Sequence, residues 1–366
     1  MVSTLQASGP TNQLYNIIKN LDRDQFEPYL ITLSPEPAES RWSDYKQLGI
    51  QVQSLNLSRF GGFVLAKRFL RKLVSEIQPD VIHTQGIRAD RLSAGLSMNV
   101  QRICTVRNIP QQDYPMTYGK LVGAQMVRSH TRAMHRLERC VGVSKAVCEN
   151  LEQSFGLSNV EMVQNGVDTQ DYSPANDSEK KGLRRKLGLP IEGSLWITSG
   201  NLSERKDPLF LINMWKARFG SESENHLLFV GSGPLEGDCK ESVKGFRNVH
   251  FAGRVSNVAD YLRASDYFVS ASRAEGLPNA VLEAMACGLP VLLSDIGPHR
   301  EIFGLSPDIG ELYQLGSPEG FSQCLEKFKY SSWPAQSKAA QLLILKTLSS
   351  EGMSKNYQVI YYSLIG

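Results

Sequence analysis

Along the chain, apolar runs of four or five residues alternate with longer stretches whose apolar positions recur every three or four residues. The short runs read as buried strands and the longer ones as helices laid on a sheet, the pattern of a parallel α/β architecture. In the first half this spacing predicts strands at 29–33, 52–55, 81–84, 103–106 and 140–143, with helices at 11–21, 62–77, 118–137 and 145–155. In the second half it predicts strands at 195–199, 227–231, 249–252, 267–270 and 291–295, with helices at 208–219, 258–264, 278–286 and 318–328. Two series of this length are too much for one sheet. The expectation is two Rossmann-like, doubly wound parallel-sheet domains, 1–170 and 171–348. The last stretch, 349–366, has no strand partner and reads as a helix crossing back to the first domain.

The turn Asn165-Gly166-Val167-Asp168, followed by the polar run 173–184, places a hinge near 168–185. The chain opens Met1-Val2-Ser3-Thr4-Leu5 before Gly9-Pro10, which leaves room for only a stub of the strand that should precede a first glycine turn. Either that strand is short or residues upstream are missing.

Composition narrows the class without naming it. The chain has 366 residues, 41% hydrophobic and 21% charged, so it is long and apolar enough to bury two cores. Its net charge is +3, and residues 1–170 carry 19 Lys and Arg against 15 Asp and Glu. That excess is too small for a nucleic-acid binder and fits a lobe facing a membrane surface or an anionic substrate. The six cysteines form no CxxC pair and no metal-ligand spacing, and read as buried thiols in a reducing compartment. No leader-like start and no apolar run of about 20 residues is visible. The expected location is cytoplasmic, with at most a peripheral contact at the inner face of the cell membrane.

The stretch from Ser272 to Gly288, SRAEGLPNAVLEAMACG, concentrates the candidate chemistry. Pro278 suits the first turn of a helix, where a missing N–H costs nothing. Glu275 then lies on the loop leaving a strand, and Glu283 in the second turn of the next helix. Ligands of open α/β sheets bind at that edge, and a helix N-terminus there seats a phosphate. Carboxylates beside such a seat would accept hydrogen bonds from hydroxyls, pointing to a ligand with both groups, such as a sugar nucleotide. A solvated loop acid and an exposed helix acid are the plainer reading of the same two residues.

This stretch resembles the signature of the family 4 glycosyltransferases, two glutamates separated by seven residues. The likeness continues through Ser294-Asp295-Ile296-Gly297-Pro298-His299-Arg300-Glu301. It is supported in order by Ser8-Gly9-Pro10, Pro79-Asp80-Val81-Ile82-His83-Thr84, Val143-Ser144, Asn165-Gly166-Val167-Asp168, Arg205-Lys206-Asp207-Pro208 and Gly231-Ser232-Gly233-Pro234-Leu235. The resemblance implies a GT-B fold with two facing domains and a retaining hexosyl transfer. The donor would be a nucleotide-sugar of UDP or GDP type on the second domain, and no metal is expected. It implies that Glu283 binds the ribose hydroxyls and Glu275 the transferred sugar. Gly9, Gly200, Asn201, Gly233, Gly276, Leu277 and Pro278 would line the donor. A glycan or lipid-linked acceptor in bacterial surface polysaccharide synthesis is the implied partner.

Lys206 and Arg205 follow the strand 195–199 across a short loop and could neutralise a departing diphosphate, or form only a charged turn. The family usually has an arginine where this chain has Asn201. His83 ends a strand, and reads either as an acceptor-side histidine or as a satisfied sheet-edge imidazole. Where the family often has a functional histidine, this chain has Arg107-Asn108. That cation could hold the donor phosphate or an anionic acceptor. The helix 62–77 carries Lys67, Arg68, Arg71 and Lys72 against Phe63, Leu65, Phe69, Leu70 and Leu73, and a second adds Lys120, Arg128, Arg132 and Arg136. These are either solvated faces or a surface for anionic lipid.

Gly231-Ser232-Gly233-Pro234-Leu235-Glu236-Gly237 is one residue too long for a dinucleotide fingerprint, which argues against a nicotinamide enzyme. Asp22-Arg23-Asp24 reads as a solvated turn. Two rivals remain: a non-catalytic sugar-nucleotide binder, favoured by Asn201 and Arg107, and a sugar-nucleotide epimerase.

Overall fold

The computed structural model describes residues 1–57, 62–328 and 330–366. The chain divides into two compact units, Met1–Gly166 together with Ser350–Gly366, and Val167–Ser349.

The first unit holds strands β1 (Tyr29–Thr32), β2 (Gln51–Ser54), β3 (Val81–Gln85), β4 (Gln101–Val106), β5 (Arg139–Gly142) and β6 (Val160–Met162). They form a parallel β1–β2 pair and a parallel β3-β4-β5-β6 sheet. Residues 1–3 bond to both. Val2 donates to Ile31 O at 3.0 Å and accepts from Leu33 N at 3.0 Å, while Met1 O accepts from Gln85 N at 3.1 Å. The short opening segment therefore fills the slot of a central strand. With it the order is the doubly wound one, and the winding reverses between residues 1–3 and β3.

The second unit holds β7 (Ser194–Ser199), β8 (Asn225–Val230), β9 (Val249–Gly253), β10 (Tyr267–Ser270), β11 (Val291–Ser294) and β12 (Gly310–Tyr313). These six parallel strands lie in the order β12-β11-β10-β7-β8-β9. The winding reverses between β7 and β10. Their core is aromatic: Trp196, Trp215, Phe229, Tyr313, Phe321 and Phe328 are buried together. All four residues of β11 are buried, as a strand with helices on both faces requires.

Three expectations need correction. The polar run placed as a hinge is a helix of the second unit, Asp177–Leu187, with an Asn176–Glu179 capping box. Its Arg184 is buried and donates to Ala264 O at 2.9 Å. The helix expected at 118–137 is present as Lys120–Met134, but a separate helix, Pro110–Tyr118, precedes it where none was expected. Gly119 between them has φ +80°, which a helix interior cannot hold. Pro278 is the cap before the helix Asn279–Ala286, not its first-turn residue.

The terminal helix, Ser350–Ile365, packs into the first unit, where Met353, Tyr357 and Ile360 join Ile17, Ile103, Val141 and Val163. In the helix Gly62–Ile77, Ala66, Leu70, Leu73 and Val74 are buried and Leu65 and Phe69 half exposed; the Phe63 side chain lies outside the described residues. Among the described residues all six cysteines are free and buried. No described helix is long and apolar enough to cross a membrane.

Candidate active site

The two strands flanking the reversal in the second unit each release a loop at the same sheet edge. β7 leads into Gly200-Asn201 and then Arg205-Lys206-Asp207, and β10 leads into Ser272 through Pro278. The loops are stitched together. Arg273 N donates to Arg205 O at 2.8 Å, and Arg205 Nη1 donates to Ala274 O at 3.0 Å. Arg273 pairs with Asp207 at 2.6 Å. Asp207 sits at φ +47° and caps the helix Pro208–Arg218 by accepting from Phe210 N. An aspartate tolerates that left-handed backbone better than most residues.

Glu275 is the centre of this arrangement. Its side chain is 7% exposed and lies between Arg205 Nη1, 2.8 Å from Oε2, and Lys206 Nζ, 2.6 Å from Oε1. Burial works to raise its carboxyl pKa, but the charges of Lys206 and Arg205 outweigh burial and hold it down to about 2. Glu275 is an anion at every working pH, an acceptor of hydrogen bonds and not a proton donor.

Glu283 projects from the helix Asn279–Ala286 and is half-buried. Burial pushes its carboxyl up to about 7, against a lowering by Lys206. Gly276, Leu277 and Pro278 are buried between the two glutamates. Gly200, Asn201 and Lys206 line a depression beside Thr198 and Phe229. The glycine loop after β8 closes against the same segment: a Cβ on Gly233 would lie 2.3 Å from Asn201 Oδ1 and 2.5 Å from Leu202 O.

The residues thus fall into two groups. Glu275, Arg205 and Lys206 are in direct contact, with Lys206 also felt at Glu283. Gly200, Asn201, Gly233, Gly276, Leu277 and Pro278 belong to the loops around them. Gly9, His83 and Arg107 belong to the other unit. Gly9 opens the helix Gly9–Lys19 behind the Ser8 cap. His83 has both ring nitrogens occupied, Nδ1 by the Tyr361 hydroxyl at 2.8 Å and Nε2 by the Thr105 hydroxyl at 2.7 Å. That is the satisfied imidazole, used to seat the terminal helix.

One residue escaped the sequence reading. His299 is fully buried, its Nδ1 donates to Ser294 O at 2.7 Å, and its Nε2 has no partner among the described residues. Burial drives its pKa down to about 4, with Glu275 and Lys206 acting on it in opposite senses. It is a neutral ring with a bare acceptor nitrogen near the Glu275 cluster. Its place in the block Ser294 to Glu301 was the available signal.

The fold and this site define a glycosyltransferase. The Glycosyltransferase Family 4 description matches residues 7–171 and the Glycosyl transferases group 1 description matches residues 194–328. The chain belongs to this family.

Among its relatives is a UDP-Gal:alpha-D-GlcNAc-diphosphoundecaprenol alpha-1,3-galactosyltransferase of Escherichia coli, 28% identical, with 70% of this chain and 68% of the relative aligned. Another is a GDP-mannose-dependent monoacylated alpha-(1-6)-phosphatidylinositol monomannoside mannosyltransferase of Corynebacterium glutamicum, 28% identical over 57% of this chain and 58% of its own length. The chain thus spans about three fifths to two thirds of these curated relatives. A solved structure of Anabaena Alr3699/HepE in complex with UDP shares the fold at TM-score 0.80 and 18% identity, with 99% of this chain and 98% of that one covered.

Proposed function

We propose that this chain transfers a hexosyl unit from a nucleotide-sugar to a glycan or lipid-linked acceptor, with retention of anomeric configuration, in the assembly of a bacterial surface polysaccharide. The donor sits on the unit Val167–Ser349 and the acceptor on the other. The observation that carries this reading is Glu275 held between Arg205 and Lys206 where the winding of the second sheet reverses. Structures of the Anabaena relative with UDP, and with UDP and glucose, support a nucleotide-sugar as donor. The lipid-diphosphate substrate in the name of the Escherichia coli relative supports a lipid-linked acceptor.

The roles follow from charge. As the glycosidic bond breaks, the diphosphate gains negative charge, and Lys206 and Arg205 stabilise it. Glu275, ionised and fixed, accepts hydroxyl protons of the sugar, and Glu283 accepts those of the ribose. The acceptor hydroxyl attacks from the face the diphosphate leaves, and the departing phosphate takes its proton. No metal is assigned a part.

Unit one carries the basic helices, with Leu65 and Phe69 49% exposed on one and Leu121 89% exposed on the other. We assign these to a peripheral contact with anionic lipid, which would place the enzyme at the inner membrane face.

The test is incubation with a panel of UDP- and GDP-sugars. Donor turnover abolished by Glu275→Ala supports the enzyme, and binding of a donor without any turnover favours the non-catalytic reading. An inverted anomeric proton in the product NMR spectrum would exclude retention.

A further inference from the structure

The sheet edge of the first unit holds a cation that no acidic side chain answers among the described residues. Arg107 directly follows β4 and is half-buried. Its Nε and Nη2 donate to Gln85 Oε1 at 3.2 and 3.0 Å, and its Nη1 donates to Asn165 Oδ1 at 3.0 Å. Both acceptors are neutral amides. They orient the guanidinium without neutralising it. Other inward arginines are handled differently: Arg184 has Asp266 and Arg102 has Glu138. A guanidinium withdrawn from water without a counter-charge is unfavourable unless an anion completes it.

Three further observations converge on that place. Gln85, at the end of β3, is 8% exposed, and its Nε2 has no partner among the described residues. Three of the five guanidinium N–H groups are occupied, which leaves one on each terminal nitrogen, the pair that grips a carboxylate or phosphate with two parallel bonds. Finally, β3 borders the point where the strand order of this unit reverses, the edge at which open α/β sheets bind ligands.

We propose that Arg107 and Gln85 form a seat for an anionic oxygen group, carboxylate or phosphate, carried by the acceptor. This rests on the reading above that the donor occupies the other unit, where Arg205 and Lys206 already face its diphosphate. The acceptor is accordingly an acidic sugar chain or a phosphate-bearing one. The seat selects it by charge before any transfer takes place.

The experiment fills the donor site first. The chain, saturated with UDP or GDP (whichever binds), is titrated with inorganic phosphate and with glucuronate at constant ionic strength, with glucose as the uncharged control. Melting temperature is the readout. At least one anion should raise it by several degrees while glucose does not. Phosphate alone points to a phosphate-bearing acceptor, and glucuronate alone to an acidic sugar. Arg107→Gln should remove the rise, Arg107→Lys should keep part of it, and nucleotide affinity should change less than twofold in both. Gln85→Leu, similar in volume, should weaken the response if Arg107→Gln does not fold. An equal response in wild type and variants, no response in wild type, or a large loss of nucleotide affinity in Arg107→Gln would each overturn the proposal. Failure of any nucleotide to bind sinks the donor reading separately, and the phosphate titration without nucleotide still reads the seat.

Discussion

Glu275 and Glu283 stand eight positions apart, yet their surroundings send them in opposite directions. Lys206 and Arg205 keep the first ionised down to about pH 2, while burial holds the second half-protonated near 7. For Glu275, the folded pKa lies below the usual carboxylate value of 4.5. Its contribution to stability is complete above about 4.5 and fades as pH falls toward 2, worth on the order of 3 kcal/mol at most. Acid melts should show that loss, and Glu275→Gln should flatten it while lowering donor turnover at least about 100-fold. Glu283 has the reverse sign: stability falls as pH rises from about 4.5 through 7. Its hydroxyl-accepting form grows over the same interval, so nucleotide affinity should be roughly tenfold weaker at pH 6 than at pH 8, by calorimetry. Glu283→Gln should erase that dependence, and a pH-independent affinity in wild type would remove Glu283 from the ribose. His299→Leu keeps the volume and deletes the bare nitrogen near Glu275. It should weaken binding of the intact nucleotide-sugar relative to the nucleotide alone, and an unchanged ratio would make His299 structural.

Individual elements show what could be read in advance and what could not. Among the described residues ten of the twelve strands overlap the predicted ones. Those buried along most of their length, such as β4, β8 and β11, are apolar because helices cover both faces. The strand β2, Gln-Val-Gln-Ser, is half-exposed and found through Val52 alone. The two missed, β6 and β12, are Val-Glu-Met and Gly-Glu-Leu-Tyr, short and half polar, and owe their place to neighbours. The Asp177–Leu187 helix looked like a linker because one buried arginine, not an apolar stripe, ties it down. The glutamate block was legible since its spacing sits in one contiguous segment, whereas the Arg205–Glu275 contact links residues 70 apart. His83 shows the limit most clearly: its partner Tyr361 is 278 residues away. His83→Ala would take away the partner of the Tyr361 hydroxyl and one of the two partners of the Thr105 hydroxyl, which keeps its 2.8 Å bond to the Tyr357 hydroxyl. It should cost about 2–3 kcal/mol of stability in denaturant melts, with turnover per folded molecule unchanged. A large drop in turnover with unchanged stability would favour the acceptor-side reading instead.

At the scale of the whole molecule, strand order was beyond reach of the pattern. Periodicity says that a segment is a strand, not which neighbour it takes, and residues 1–3 reveal themselves as central only through bonds to Ile31, Leu33 and Gln85. Surface character is more accessible. Met116, Tyr118, Leu121 and Val122 lie exposed at the junction of the helix Pro110–Tyr118 with the helix Lys120–Met134, which also carries the exposed Lys120, Arg128 and Arg132. Vesicles containing phosphatidylglycerol should sediment the protein and neutral vesicles should not, with Leu121→Glu lowering the bound fraction severalfold. Equal binding to both kinds of vesicle, or to neither, would remove the lipid contact.

The terminal helix has a consequence for how the protein comes into being. Ile17, Ile103, Val141 and Val163 are covered by Met353, Tyr357 and Ile360, which leave the ribosome only after the whole of the second unit has been made. The second lobe can therefore mature during synthesis while the first waits, its apolar floor open to water and to chaperones until the tail arrives.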